Sequence, residues 1–361
     1  QRQMCIRDRE LSERRRLILK EIVDRYIRFR EPVSSRMILE DYGLRVSSAT
    51  VRNEMNALET AGYIEKPYSS SGRIPTKKGY RFFVDWLLDL SELSKKERRE
   101  IVEAYQIRCL EVGETMRQTA FLLGNITGYA GFVIPPQWAR MRLDRVVLVP
   151  MEPRLVLLVV VSEIGVVEHG LIPLEFALTE EEVARSMEAI NDTLRGMTLD
   201  AVRAAAGRDA PEGWYDRSVR VALLVMRRLL ERRTRERLYL EGLLNMVDDL
   251  RAVVPDQALD RFVGLIHAVQ DEERFIAAVR ETRGERDGLV VNVGDFPLPG
   301  LEEFSVITHD YRPYSGVIGV IAPLWMDYSR ALSATSYIAN RLEALLVASC
   351  KRTVGGRDDG R

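Results

Sequence analysis

"SSATVRNEMNALETAG", residues 47–62, carries the reading on which the rest of the chain turns. Ser47 or Ser48 can cap a helix, and Gly62 can end it. Between them, Val51, Met55 and Leu58 lie within about a hundred degrees of one another around a helix axis and should pack inward. Ala49, Arg52, Asn53, Asn56 and Thr60 then point outward. Arginine can bond guanine bidentately, asparagine can do the same with adenine, and a small residue allows close approach to a groove. A merely solvated helix face would show the same composition. The segments on either side decide between the two.

Upstream, an apolar stripe runs from Leu11 through Ile18, Ile22, Tyr26 and Phe29 at helical spacing, and Pro32 stops it. Ser34 can cap a second short helix holding Ile38, Leu39 and Tyr42, which Gly43 ends. Three short helices with a brief turn before the last are the parts of a helix-turn-helix. Downstream, Tyr63 to Glu65 predict a strand, followed by Pro67 and the loop "SSSGR" (69–73). A strand and loop directly after a recognition helix make the wing of a winged helix. Gly72 gives the loop tip backbone freedom, and Arg73 beside it can reach a phosphate or enter a narrow minor groove. Pro75 stiffens the exit and Thr76 can cap a further helix. Lys77 and Lys78 sit badly at that helix start, whose partial positive charge favours anions. A DNA phosphate nearby would explain them; two solvated lysines at small cost would too.

The charge balance favours the first explanation. Residues 1–85 hold 18 Lys+Arg against 12 Asp+Glu, and the rest hold 35 against 42. A basic module that meets an anionic partner is therefore joined to an acidic body that does not. At 361 residues, 46% hydrophobic and 30% charged, the chain is long enough for two or three folded domains. Cys5, Cys109 and Cys350 form no CxxC pair, which suggests a reduced, cytoplasmic protein. His169, His267 and His309 are isolated, so no metal or other cofactor is expected. The longest apolar run, Leu155 to Val161, is too short to span a bilayer, and no signal peptide is visible.

Helical pattern continues from Lys95 to about Leu123. Extended runs follow at Arg145 to Val149, Leu155 to Val161 and Gly165 to Ile172. The middle one is apolar without alternation, as a central strand covered on both faces would be. Glu180 to about Val279 reads as helical, with Tyr215 to Asp249 its longest piece. The run "ERRTRER" (231–237) within it is a solvated face or a break between helices. Strands return at Leu289 to Val293, Phe304 to His309 and Val317 to Ile321, and a helix from Ala331 to Ala348 closes the chain. Strands at both ends of a long helical stretch predict one α+β sheet domain split by an insertion. "GVIGVI" (316–321) lacks the glycine spacing of a phosphate loop and reads as a buried strand. No Ser/His/Asp or Cys/His arrangement stands out, so no catalytic activity is expected.

Several stretches together carry a more specific signal: "EPVSSR" (31–36), "YGL" (42–44), "SSATVRNEM" (47–55), the Leu58 to Glu65 segment and "SGRIPTKKGYRFFVD" (71–85). With "GVIGVIAPLWMDYSRA" (316–331), they resemble the HrcA family of heat-inducible repressors, although Ala322, Leu324 and Trp325 depart from a more polar family pattern. The resemblance implies a winged helix over residues 1–90 and a GAF-like domain in two parts, 91–174 and 285–361. A largely helical, dimerising insertion would occupy 175–284. It implies a homodimer on double-stranded DNA at a palindromic operator (CIRCE) upstream of chaperonin operons, with the GroEL chaperonin as a further partner. The residues it and the helix face mark for DNA are Ser34, Ser35, Arg36, Ser47, Ser48, Ala49, Thr50, Arg52, Asn53, Asn56, Gly72, Arg73, Lys77 and Lys78. A winged-helix regulator whose GAF-like domain senses a small metabolite is the alternative.

Overall fold

The computed structural model describes residues 11–42, 47–67, 72–106, 112–137, 140–174, 177–207, 237–283, 288–312 and 315–355. It begins with three helices: α1 (Glu13–Phe29), α2 (Ser35–Tyr42) and α3 (Ser48–Thr60). Ser12 caps α1 by accepting from the Arg15 amide, and Arg30 ends it in the left-handed region at φ 59°. Ile18, Ile22 and Tyr26 of α1 meet Ile38 of α2 and Val51, Met55 and Leu58 of α3 in one apolar core. Phe29 departs from the expected stripe: it is 54% exposed. The Arg25 guanidinium covers its ring from 5.3 Å instead.

The wing is a two-stranded antiparallel ribbon, β1 (Ile64–Glu65) against β2 (Ile74–Pro75). A third, one-residue strand comes from the α1–α2 turn, where Val33 and Arg73 exchange both backbone hydrogen bonds at 2.9 Å. After the wing, α4 (Lys77–Phe82) runs into a π-helical turn, Phe83–Leu87.

The helical pattern expected from Lys95 to Leu123 is two helices, α5 (Lys95–Gln106) and α6 (Val112–Thr127). They lead into β3 (Ala130–Ile134), one of five strands in an antiparallel sheet. Numbered along the chain, the others are β7 (Tyr239–Glu241), β8 (Leu289–Val293), β9 (Phe304–Tyr311) and β10 (Gly316–Pro323), in the order β7-β3-β10-β9-β8. Every residue of β10 is buried, as expected of "GVIGVI". Gly319 is needed there, because a Cβ would stand 2.3 Å from both the Phe132 ring and the Ile307 carbonyl. The closing helix α12 (Tyr328–Gly355) and α6 pack on this sheet.

The strands β4 (Leu143–Glu152), β5 (Leu155–Ser162) and β6 (Val167–Pro173) do not join that sheet. They form their own antiparallel sheet, with α7 (Glu180–Leu194) and α8 (Leu199–Gly207). Val146, Leu158, Val160, Ile190 and Val202 belong to a separate core there. The Asn191 amide of α7 fastens the helix to β4 by pairing with both the Val146 amide (2.7 Å) and its carbonyl (2.9 Å). Met197 and Gly196 return to Leu143 through backbone bonds of 2.9 and 2.8 Å. Residues from Met141 to Val202 therefore share a sheet and a core of their own, across the boundary expected at residues 174–175. Periodicity identified the strands but could not say which neighbours they pair with.

Two further expectations change. Val156, Leu158 and Val160 of β5 are buried, but the opposite sheet face is not covered: Val149, Met151, Val167 and Leu171 are exposed. The helix expected over Tyr215 to Asp249 lies mostly outside the described residues. Its end is a strand, β7, followed by a 3₁₀ turn (Leu243–Met246) and α9 (Val247–Val253). Two helices, α10 (Ala258–Gln270) and α11 (Glu272–Arg283), complete the helical stretch. Among the described residues, no helix is long and apolar enough to cross a membrane.

The winged helix is seated on the larger sheet, and one continuous core joins them. Tyr80 of α4 meets Tyr328 with ring centroids 6.3 Å apart. Arg30 bonds Asp249 (3.0 Å) and the Trp325 carbonyl (2.7 Å). Arg81 reaches the Val291 carbonyl at 3.3 Å and Asp295 at 3.4 Å, and Lys20 pairs with Asp89.

Candidate nucleic-acid interface

Helix α3 is fixed on three sides. Ser47 caps it, its hydroxyl accepting from the Thr50 amide at 3.1 Å. Val51, Met55 and Leu58 bury its inner face. Glu54 on its flank accepts from Arg15 Nε of α1 at 2.8 Å. What remains is the outward face, and Ala49, Arg52, Asn53, Asn56 and Thr60 are all exposed on it. The side chains of Arg52 and Asn53 form no hydrogen bond or ion pair with other described residues. A rigid helix thus presents a small residue, a guanidinium and two amides on one side, the groups that can match base edges. Ser48 and Thr50 lie in its first turn, Ser48 exposed and Thr50 half-buried.

The marked residues of α2 lie at its start. Ser34 caps α2 by accepting from the Met37 amide at 3.4 Å, and Ser35 is half-buried. Arg36 is exposed and holds Glu40 one turn along at 2.8 Å.

The wing residues behave differently from the sequence expectation. Gly72 is buried, not a loop tip, and no left-handed backbone explains it. A Cβ there would stand 2.7 Å from Pro32 Cβ and 2.8 Å from the Pro32 carbonyl carbon and oxygen. Close approach of two backbones is what excludes a side chain. Arg73 is only 5% exposed, so it does not reach outward to a phosphate or a minor groove. Its guanidinium turns back to α3, donating from Nε to Glu59 at 2.9 Å and from Nη2 to Asn56 Oδ1 at 3.1 Å. A charged residue this buried needs a partner, and Glu59 provides it.

Lys77 and Lys78 also find partners within the chain. Thr76 caps α4, accepting from the Gly79 amide at 3.2 Å. The Lys77 ammonium faces Glu303 at 3.2 Å, and its aliphatic stem lies beside Gly294. Lys78 donates to the Ala61 carbonyl at the end of α3 (3.1 Å), with its ammonium 4.3 Å from the centre of the Tyr63 ring. The anion that compensates a cation at this helix start is a carboxylate of the chain itself.

Sequence reasoning missed Glu59 and Glu303. Each looks like an ordinary surface acid, and only the fold brings it to its arginine or lysine. Among the described residues, no cluster of His, Cys, Asp and Glu is arranged to hold a metal ion.

Comparison with known proteins gives a consistent result. The family described as "Winged helix-turn-helix transcription repressor, HrcA DNA-binding" matches residues 10–85, and "HrcA protein C terminal domain" matches residues 113–332. The chain is similar to the heat-inducible transcription repressor HrcA of Syntrophobacter fumaroxidans, 32% identical over 93% of this chain and 98% of the relative. The repressor of the same name from Pelotomaculum thermopropionicum is 30% identical over 93% and 97%. A crystal structure described as a hypothetical protein superposes with a TM-score of 0.62, at 25% identity, covering 94% of this chain and 100% of its own.

Proposed function

The chain belongs to the HrcA family of heat-inducible transcription repressors, and on that premise we propose that it silences chaperonin operons as a homodimer on an inverted-repeat CIRCE-type operator. It is a DNA-binding regulator with a winged helix, not an enzyme. The observation that carries the finer reading is the outward face of α3, with Arg52, Asn53 and Asn56 exposed on a helix held on its other sides. Laid in a major groove, that face would read base edges. Ala49 would permit close approach, while Ser47, Ser48, Thr50 and the α2 residues Ser34, Ser35 and Arg36 would contact the backbone beside it. Lys77 and Lys78 would take phosphates by exchanging their present partners for them.

A two-fold symmetric protein matches a palindromic site. The apolar face of the β4–β6 sheet, where Val149, Met151, Val167 and Leu171 are exposed, supports pairing of two copies through it. The remaining members of this reading, a cytoplasmic location, release by heat and recovery through the GroEL chaperonin, rest on the family resemblance.

The test is a mobility-shift titration with a chaperonin-promoter inverted repeat against a scrambled duplex. The repressor reading requires the repeat to bind about a thousandfold tighter or more, the low end of what specific sites show over non-specific DNA. Equal affinity overturns it. Recovery of heated protein to the same extent with and without chaperonin would remove GroEL from the account.

A further inference from the structure

The contact between Arg73 and Asn56 bears on which bases the protein prefers. A carboxamide has an acceptor on one side and donors on the other, and the two are often interchangeable in a structure. Here chemistry settles the orientation. A guanidinium has donors only and keeps its proton, so the atom facing Arg73 Nη2 at 3.1 Å must be the amide oxygen. Arg73 is itself held immobile. It is buried, its Nη2 lies 2.8 Å from Glu59 Oε2, and its backbone is clamped to Val33 through two bonds of 2.9 Å. Asn56 nevertheless remains exposed on the outward face of α3. Its oxygen is turned to the wing and its nitrogen away from it.

An unconstrained asparagine reads adenine by accepting from N6 and donating to N7 at once. For Asn56, adenine would have to share Oδ1 with a guanidinium that already polarises it. The Nδ2 donors have no such competitor. They match edges that offer acceptors without a donor facing Oδ1, namely N7 and O6 of guanine or O4 of thymine, whereas adenine sets its N7 acceptor beside an N6 donor that needs Oδ1. We propose that Arg73 is a positioning residue that makes Asn56 a donor-type reader, selecting guanine or thymine over adenine at the base it faces. This rests on the reading of α3 as the DNA-facing helix. It replaces the adenine pairing that the sequence suggests for this asparagine.

The experiment selects from an inverted repeat with randomised half-sites, using the full-length protein and sequencing the bound fraction. The parent is compared with Asn56→Ala, Arg73→Gln and the double variant. Asn56→Ala identifies the position that Asn56 reads, as the one whose preference flattens. At that position the parent selects guanine or thymine over adenine. Arg73→Gln shifts the preference toward adenine by roughly fivefold or more, the low end of what one base contact supplies, and leaves the Arg52 position unchanged. The double variant matches Asn56→Ala alone.

Arg73→Lys serves where Arg73→Gln fails to fold. It keeps a charge for Glu59 but loses the forked donor set, and it shifts the same position in the same direction. Adenine preferred by the parent at that position overturns the proposal. So does a uniform loss of affinity in both Arg73 variants with the base profile intact, or an Asn56→Ala profile identical to the parent's. A parent profile flat at every position would instead discard the operator reading beneath it.

Discussion

Glu303→Gln isolates what the Lys77 contact does. In the folded chain the two groups are 3.2 Å apart, with side chains 44% and 40% exposed. Exposed pairs of this kind are worth about 0.2–1 kcal/mol, and Arg261 at 3.5 Å already shares the same carboxylate. Stability should therefore hardly move. DNA binding should move more visibly, because a phosphate must displace Glu303 to take Lys77. Removing the competing charge should tighten binding by up to about 1 kcal/mol, roughly fivefold, at low salt. The gain should be equal for operator and scrambled DNA, since a phosphate contact carries no sequence information. Anisotropy titrations across a salt series measure it, and Lys77→Ala should erase it while lowering the salt slope by about one. Two outcomes would refute the reasoning: a Glu303→Gln gain that survives in the Lys77→Ala background, or one confined to the operator.

Other consequences are more local. Gly72→Ala should cost about 1–3 kcal/mol, because its new methyl meets Pro32 at overlapping distance and the wing or the α1–α2 turn must shift; an unchanged melting temperature would dismiss the contact. Leu171→Asp, at a residue 50% exposed, should leave melting nearly unchanged yet convert dimer to monomer in sedimentation, and a persistent dimer would move the interface elsewhere. Asp24 is held above the ordinary carboxylate range by burial, with Asp89 and Asp327 adding to it against Lys20 and Arg28. Its folded form then binds a proton more readily than its unfolded form, so its contribution worsens as pH rises from the ordinary carboxylate pKa through the raised value of the folded state. Asp24→Asn should accordingly raise the melting temperature more at about pH 7 than at about pH 4.5. A gain that grew on acidification would reverse that sign.

How much of this could be read from the sequence depended on range. The face of α3 was legible because Val51, Met55 and Leu58 follow the helical repeat over a few residues, and the buried face they predict is the one observed. Likewise, the strands β4 to β6 were visible as β-branched runs. Their sheet was not, since alternation records which residues share a face and never which strand lies alongside. β7 is three residues long and leaves almost no periodic trace. The wing residues were misread for the same reason: Arg73 beside a serine-rich loop resembles a free cation, and its burial depends on Glu59, Asn56 and Val33 converging from elsewhere. Lys77 did signal a missing anion. That the chain supplies one from Glu303 is a property of how the winged helix sits on the sheet.

The central claim is that the outward side of α3 reads DNA sequence, and Arg52 is the residue on it with the strongest base-reading chemistry. The direct measurement is the ratio of operator to scrambled-duplex affinity for the parent and for Arg52→Ala at one salt concentration. The account predicts a loss of about 1–3 kcal/mol on the operator alone, shrinking the ratio. An unchanged ratio, with both duplexes weakened equally or not at all, would contradict it.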